Sequence, residues 1–289
     1  MRSDANEITD ERSHPACTPA QLASWLADET DRPLVIDVRW ALGAPSSYPD
    51  YLAGHVPTAV WADLDADFAD PPAADRQGGR HPLPDPGRLE RRLRHWGLRA
   101  ADSVVTYDAA DSIAAARAWW VLRWAGLRRV TVLDGGVAAW VQAGLRLALG
   151  PESQIAEGTV EVHPGAMATV DAAGAAELAR AGRLVDVRTA VRFRGDEEPV
   201  DPVAGHIPGA RNVPAGELMK ADGRLADAAG LTERLAVASD GPVGAYCGSG
   251  VTAAHTVWAL ATLGVNVSLY PGSWSDWVSD PARPIATGP

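Results

Sequence analysis

Cysteine, lysine and phenylalanine are scarce in this chain of 289 residues, which holds two Cys, two Phe and a single Lys, Lys220. The two cysteines, Cys17 and Cys247, lie far apart and make no disulfide framework, so a reducing, cytoplasmic compartment is expected. No stretch approaches the roughly 18 uninterrupted apolar residues that a membrane helix needs. The opening residues Met1 to Glu7 are polar and acidic, with no apolar core of a secretory signal after them. Positive charge also runs short: 26 Lys and Arg against 37 Asp and Glu give a net charge of −11 and a pI near 5.0. Such a field repels nucleic acid and anionic membrane, and neither is expected as a partner. Paired Cys spacing, His-Glu-x-x-His and calcium-loop patterns are all missing, and the Gly-Gly runs at 78–79 and 135–136 make no dinucleotide or phosphate fingerprint. No metal or cofactor is indicated. Because the positive charge that does exist is nearly all arginine, it suits two-pronged recognition of small oxyanions.

What is present is an α/β pattern, repeated. Apolar runs closed by charge, such as Pro33-Leu34-Val35-Ile36-Asp37-Val38-Arg39, read as buried parallel strands. They alternate with helical stretches, including one over Thr18–Leu26 capped by Thr18, one over Asp85–Leu98 and one over Ser112–Trp124. Residues 1–14 read as a disordered lead, and Cys17 beside it as a bystander. Past a Gly- and Pro-rich stretch the elements return. Arg183 to Arg188 echoes the strand ending at Asp37-Val38-Arg39, Gly205-His206-Ile207-Pro208 echoes Gly54-His55-Val56-Pro57, and Tyr246-Cys247 aligns with Tyr107-Asp108 at an offset of 139. Repetition in the same order implies tandem domains of one fold. The expected division is a first domain over 15–148, a linker over 149–167 and a second domain over 168–286. His55, His206, Asp37 and Asp186 occur in both copies and are read as structural, as is Arg188 with its counterpart Arg39.

The copies part company at one loop. In Tyr246-Cys247-Gly248-Ser249-Gly250-Val251-Thr252 a strand delivers a thiol to its C-terminal edge and a helix follows at once. Glycines at 248 and 250 can take positive φ, which would turn the backbone N–H groups of 248 to 253 inward as an anion-binding nest backed by a helix N-terminus. Such a place favours a thiolate nucleophile. The first copy has Asp108 at that position and lacks the glycines, so it is read as catalytically inactive. Arg192, on the loop side of the second sheet and without a counterpart, is the candidate for gripping an anionic substrate.

Together, Cys247-Gly248-Ser249-Gly250-Val251-Thr252-Ala253, the two Gly-His-Ile/Val-Pro turns and Gly272-Ser273-Trp274 resemble the tandem-domain rhodanese, or sulfurtransferase, family. That resemblance implies two rhodanese-like domains, each a mostly parallel sheet flanked by helices. It also implies ping-pong transfer of sulfane sulfur: the Cys247 thiolate takes sulfur from a small anionic donor, and a thiol, thioredoxin-like or cyanide acceptor removes it. The loop resembles that of the 3-mercaptopyruvate sulfurtransferases, which implies a proton relay through Ser249, His81 and Asp65. Gly248, Gly250, Val251 and Thr252 would line the sulfur, and Arg192 matches the first of the family's two carboxylate-binding arginines. The second is absent: Pro199-Val200-Asp201-Pro202 stands there, with an Asp that would repel a carboxylate and resembles the thiosulfate-using members. The loop favours 3-mercaptopyruvate as donor, with thiosulfate the alternative and a non-catalytic persulfide carrier or redox sensor the other. A phosphatase of the cell-cycle type, which shares the architecture, needs an arginine at the end of a longer loop, and Ala253 ends this one.

Overall fold

The computed structural model describes residues 10–152, 156–235 and 243–289. Among these, the first half contributes strands β1 (Ala16–Cys17), β2 (Leu34–Asp37), β3 (Val60–Trp61), β4 (Val104–Tyr107) and β5 (Val130–Leu133), in spatial order β1-β5-β4-β2-β3. The second half contributes β6 (Leu184–Asp186), β7 (Arg211–Asn212), β8 (Val243–Tyr246) and β9 (Val267–Leu269), in order β7-β6-β8-β9. Every pairing between these strands is parallel. Strands β4, β5 and β8 are buried along their whole length, which is why they read as unbroken apolar runs rather than alternating ones.

The repeat extends to register. Asp37 pairs with Tyr107 in the first sheet and Asp186 with Tyr246 in the second, at the strand edge where Asp108 and Cys247 follow. In both copies the Asp carboxylate takes Nη2 of the Arg two residues on at 2.6 Å, and that guanidinium donates to the carbonyl of Gly54 or Gly205. His55 and His206 stack on Tyr51 and Phe193, with Nδ1 at 2.9 and 2.8 Å from the carbonyls of those residues. These groups hold turns in both halves, as expected for structural residues.

The helix Ile113–Trp124 of the first half packs along the helix Val251–Ala261 of the second. Both helices are rich in buried alanine, with Ala114, Ala115, Ala116 and Ala118 in one and Ala253, Ala254 and Ala259 in the other, and Trp120 and Trp258 are buried without exposure. This contact joins the two cores into one buried cluster.

The expectation of a disordered lead needs correction for 10–14; residues 1–9 lie outside the described residues. A short 3-10 turn at Glu11–Ser13 carries Arg12 into a 2.8 Å ion pair with Asp31, and Thr131 Oγ1 donates to the carbonyls of Arg12 and His14. Ala16 and Cys17 then add a strand beside β5. Cys17 is buried, and burial first and Asp134 second push its thiol far up, so it is protonated and inert. Within the expected linker, 153–155 lies outside the described residues. Beyond it, the backbone of Gly158 to Val160 bonds to Arg94 and Leu98, so this stretch runs against the first half.

Candidate active site

Strand β8 ends at Tyr246 and places Cys247 at its C-terminal edge, with the thiol 98% buried where the two halves meet. The loop after it is pinned from behind by the turn at 271–275. Trp274 N–H donates to Cys247 O at 3.0 Å, Ser275 N–H to Gly248 O at 2.9 Å, and Cys247 N–H to Ser273 Oγ at 3.1 Å. Gly250 has φ of +81°, and a Cβ there would lie 2.5 Å from Pro271 O, so glycine is required on both counts. Its N–H then points at Cys247 Sγ, 3.1 Å away, and the helix begins at Val251.

Gly248 departs from expectation. It does not take positive φ; what it supplies is room, because a Cβ would stand 2.8 Å from Arg80 Nη2 and 3.6 Å from Arg192 Nη2. Two guanidinium groups therefore flank the loop. Arg192 donates to Glu198 Oε1 at 2.6 Å and to Asp201 Oδ2 at 3.2 Å, and Arg80, from the first half, pairs with the other oxygen of Asp201. Asp201 thus sits between the arginines as their counter-ion. Burial pushes its carboxyl up, and Arg80 draws it back down. Burial also works against Glu198, but the bond from Arg192 and the N–H groups of Asp201 and Val200 hold it below its ordinary value.

The first half brings a second set of groups to the same loop. Ser249 Oγ is 2.7 Å from His81 Nδ1, and His81 Nε2 is 3.1 Å from Asp65 Oδ1. Asp65 is kept acidic first by the bond from His81 and then by Trp40, whose Nε1 donates to Oδ2 at 3.1 Å. The Trp40 ring also stands edge-on to His81, 5.5 Å between centroids. A neutral imidazole with its proton on Nε2 would donate to the Asp65 carboxylate and leave Nδ1 to accept from the Ser249 hydroxyl. Cys247, Ser249, His81, Asp65 and Arg192, separated by up to 184 positions in the sequence, are in this way gathered around one loop. Val251 and Thr252 form its helical end.

Trp40, Arg80, Glu198 and Ser273 were not legible as site residues. Arg80 directly precedes His81, and Trp40 directly follows the structural Arg39, so position alone offered a hint. Trp40, Arg80 and Ser273 find their partners Asp65, Asp201 and Cys247 in other segments, and only the tertiary fold brings them close, whereas Glu198 lies six residues from Arg192.

The equivalent loop of the first half is built alike and filled differently. Val137 N–H donates to Asp108 O at 2.9 Å and Ala138 N–H to Ala109 O at 3.1 Å, repeating the pins behind Cys247. The Asp108 carboxylate accepts the N–H groups of Ser112, Ala114 and Ala115 at 3.0 to 3.1 Å. A nest able to hold an anion is present in this half, and it holds the chain's own side chain.

Comparison with known proteins agrees with this architecture. Residues 18–143 and 171–280 each match the family described as Rhodanese-like domain. A Pseudomonas aeruginosa protein provisionally named 3-mercaptopyruvate sulfurtransferase is 47% identical over 282 residues, covering 94% of this chain and 97% of its own. A Mycobacterium tuberculosis protein, provisionally named thiosulfate sulfurtransferase SseB, is 43% identical over 282 residues, covering 96% and 98%. The crystal structure of the 3-mercaptopyruvate sulfurtransferase SseA from Escherichia coli superimposes with a TM-score of 0.78 at 33% identity, covering 90% of this chain and 98% of that one. With two matched segments spanning most of its length and relatives similar from end to end, the chain belongs to the rhodanese family, in its tandem-domain form.

Proposed function

We propose that this protein is a sulfurtransferase that moves sulfur from 3-mercaptopyruvate to a thiol or cyanide acceptor through a persulfide on Cys247, with residues 168–286 as the catalytic domain and 15–148 as an inactive partner. The Cys247 thiolate attacks the donor sulfur, the carbon–sulfur bond breaks, and its electron pair stays on the carbon as the enolate of pyruvate. The donor's thiol proton ends on that carbon, giving pyruvate and the persulfide anion. The acceptor then attacks the outer sulfur, and the bonding pair returns to Cys247 as thiolate.

The observation that carries this reading is the chain Ser249, His81, Asp65 beside the thiol, with spacings of 2.7 and 3.1 Å. A carbon leaving group needs a proton, and this chain is a path for one. Thiosulfate would release sulfite, which leaves without protonation, so a relay favours the mercaptopyruvate reaction. Asp108 adds support. Its carboxylate reaches about one bond further than a thiol, as the outer sulfur of a persulfide does, and at the 139 offset its three donors correspond to the N–H groups of Val251, Ala253 and Ala254. Those amides would donate to the outer sulfur. Thiosulfate remains the second reading because Asp201 already occupies Arg192 and Arg80, where a donor carboxylate would compete with it.

The test is a pair of steady-state assays to cyanide, one with each donor. Cys247→Ser should abolish transfer from both while the protein stays folded; retained transfer rules out the mechanism. His81→Ala should lower turnover with 3-mercaptopyruvate by about two orders of magnitude and leave thiosulfate transfer nearly unchanged. Equal losses with both donors would mark His81 as structural.

A further inference from the structure

Arg117 lies on the helix Ile113–Trp124 of the first half and is completely buried. Among the described residues its polar contacts are backbone carbonyls alone: Nη2 donates to His81 O at 3.0 Å and reaches Phe68 O and Pro82 O at 3.4 Å, while Nε and Nη1 are buried without a partner. A buried guanidinium with two idle nitrogens and no carboxylate is costly to fold around, so its retention calls for an anion that compensates it. The other charges around the loop already have partners. Arg80 and Arg192 share Asp201, with Glu198 also on Arg192; His81 meets Asp65; Asp276 meets Arg283. His255, further along the helix, is pushed by burial down to about 4 and is neutral.

We propose that Arg117 is a positioning residue of the Cys247 site: its guanidinium clamps the His81 backbone so that the imidazole meets Ser249, and its uncompensated charge is balanced by the anionic sulfur that forms on Cys247. Two hydrogen bonds link it to the catalytic loop, Arg117 Nη2 to His81 O and His81 Nδ1 to Ser249 Oγ. The helix that carries it packs along the helix beginning at Val251, in one buried cluster with Cys247. Burial draws the guanidinium down to about 10 while Cys247 pulls it back up, so it stays charged at neutral pH. The arrangement is one-sided: at the 139 offset the position of Arg117 is taken by Thr256, an uncharged side chain.

The inference rests on Cys247 being the nucleophile, and the experiment separates the two. Alkylation of Cys247 by iodoacetamide, read by mass spectrometry of its peptide, is followed from about pH 5 to about pH 9 in wild type, Arg117→Gln and Arg117→Lys. Gln keeps a donor for His81 O but no charge; Lys keeps the charge. The expected result is alkylation of the folded Gln variant about tenfold slower than wild type at neutral pH, and a Lys profile within about threefold of wild type. A folded Gln variant whose profile overlays wild type overturns the proposal, and so does a folded Lys variant as slow as Gln. If Gln fails to fold, Lys decides alone: near-wild-type alkylation supports the charge, and a tenfold loss overturns it. Failure of the nucleophile assignment would appear elsewhere, as transfer retained in Cys247→Ser.

Discussion

Asp108 and the two loop glycines show how single positions were turned to different ends. Burial first and Asp111 second push the Asp108 carboxyl up to about 7 from 3.8, overriding three N–H donors that pull it down. Its folded value lies above its unfolded one, so the native state holds the proton more tightly, and this group's contribution to stability is full below about pH 4 and lost as pH rises through about 7. Asp108→Asn should flatten that slope, raising stability at pH 7 relative to pH 5 by up to a few kcal/mol in urea unfolding; a slope equal to wild type would contradict it. The glycines separate strain from room. Gly250→Ala forces a Cβ into Pro271 O at positive φ and should destabilise by about 1–3 kcal/mol, together with lost activity. Gly248→Ala meets only the movable end of Arg80. It should keep stability within about 1 kcal/mol and raise the KM for the donor severalfold, a split that denaturation and steady-state kinetics read separately.

At the scale of elements, the fold stands on the pairing of the helices Ile113–Trp124 and Val251–Ala261. Trp120, on the first of these helices, is fully buried in the common core, and Trp120→Ala should cost about 3–5 kcal/mol, seen as a lower denaturation midpoint with an unchanged slope. Elements with an internal signal were legible in the sequence. The strands around Asp37, Tyr107 and Tyr246 declare themselves as apolar runs, and Thr18 forms the capping box its spacing with Gln21 suggests. Two-residue strands such as Ala16–Cys17 are too short to show any period, and β1 exists because β5 offers an edge and Arg12 finds Asp31. The same division holds at the site. Cys247, Ser249 and Arg192 were readable from local pattern, whereas Arg80 and Arg117 meet partners from 35 to 121 positions away, a relation that no window of sequence contains.

For the whole molecule, the proposed site draws on both copies of a repeated fold. Asp65, Arg80, His81 and Arg117 come from the first and Cys247, Ser249 and Arg192 from the second. Residues 168–286 expressed alone should therefore show no sulfur transfer, and should aggregate through the uncovered helix face; soluble, active material in gel filtration would refute this. Asp108→Cys should likewise give a thiol that takes up no sulfur, because Ala110 stands where Ser249 does and Thr256 where Arg117 does. The nest occupied by Asp108 has a further consequence. On the proposed reaction the half with a carboxylate in place of a thiol is not spare, since it supplies His81 and Arg117 to the other, so loss of either half would cost the whole activity and the two copies would be inherited as one unit.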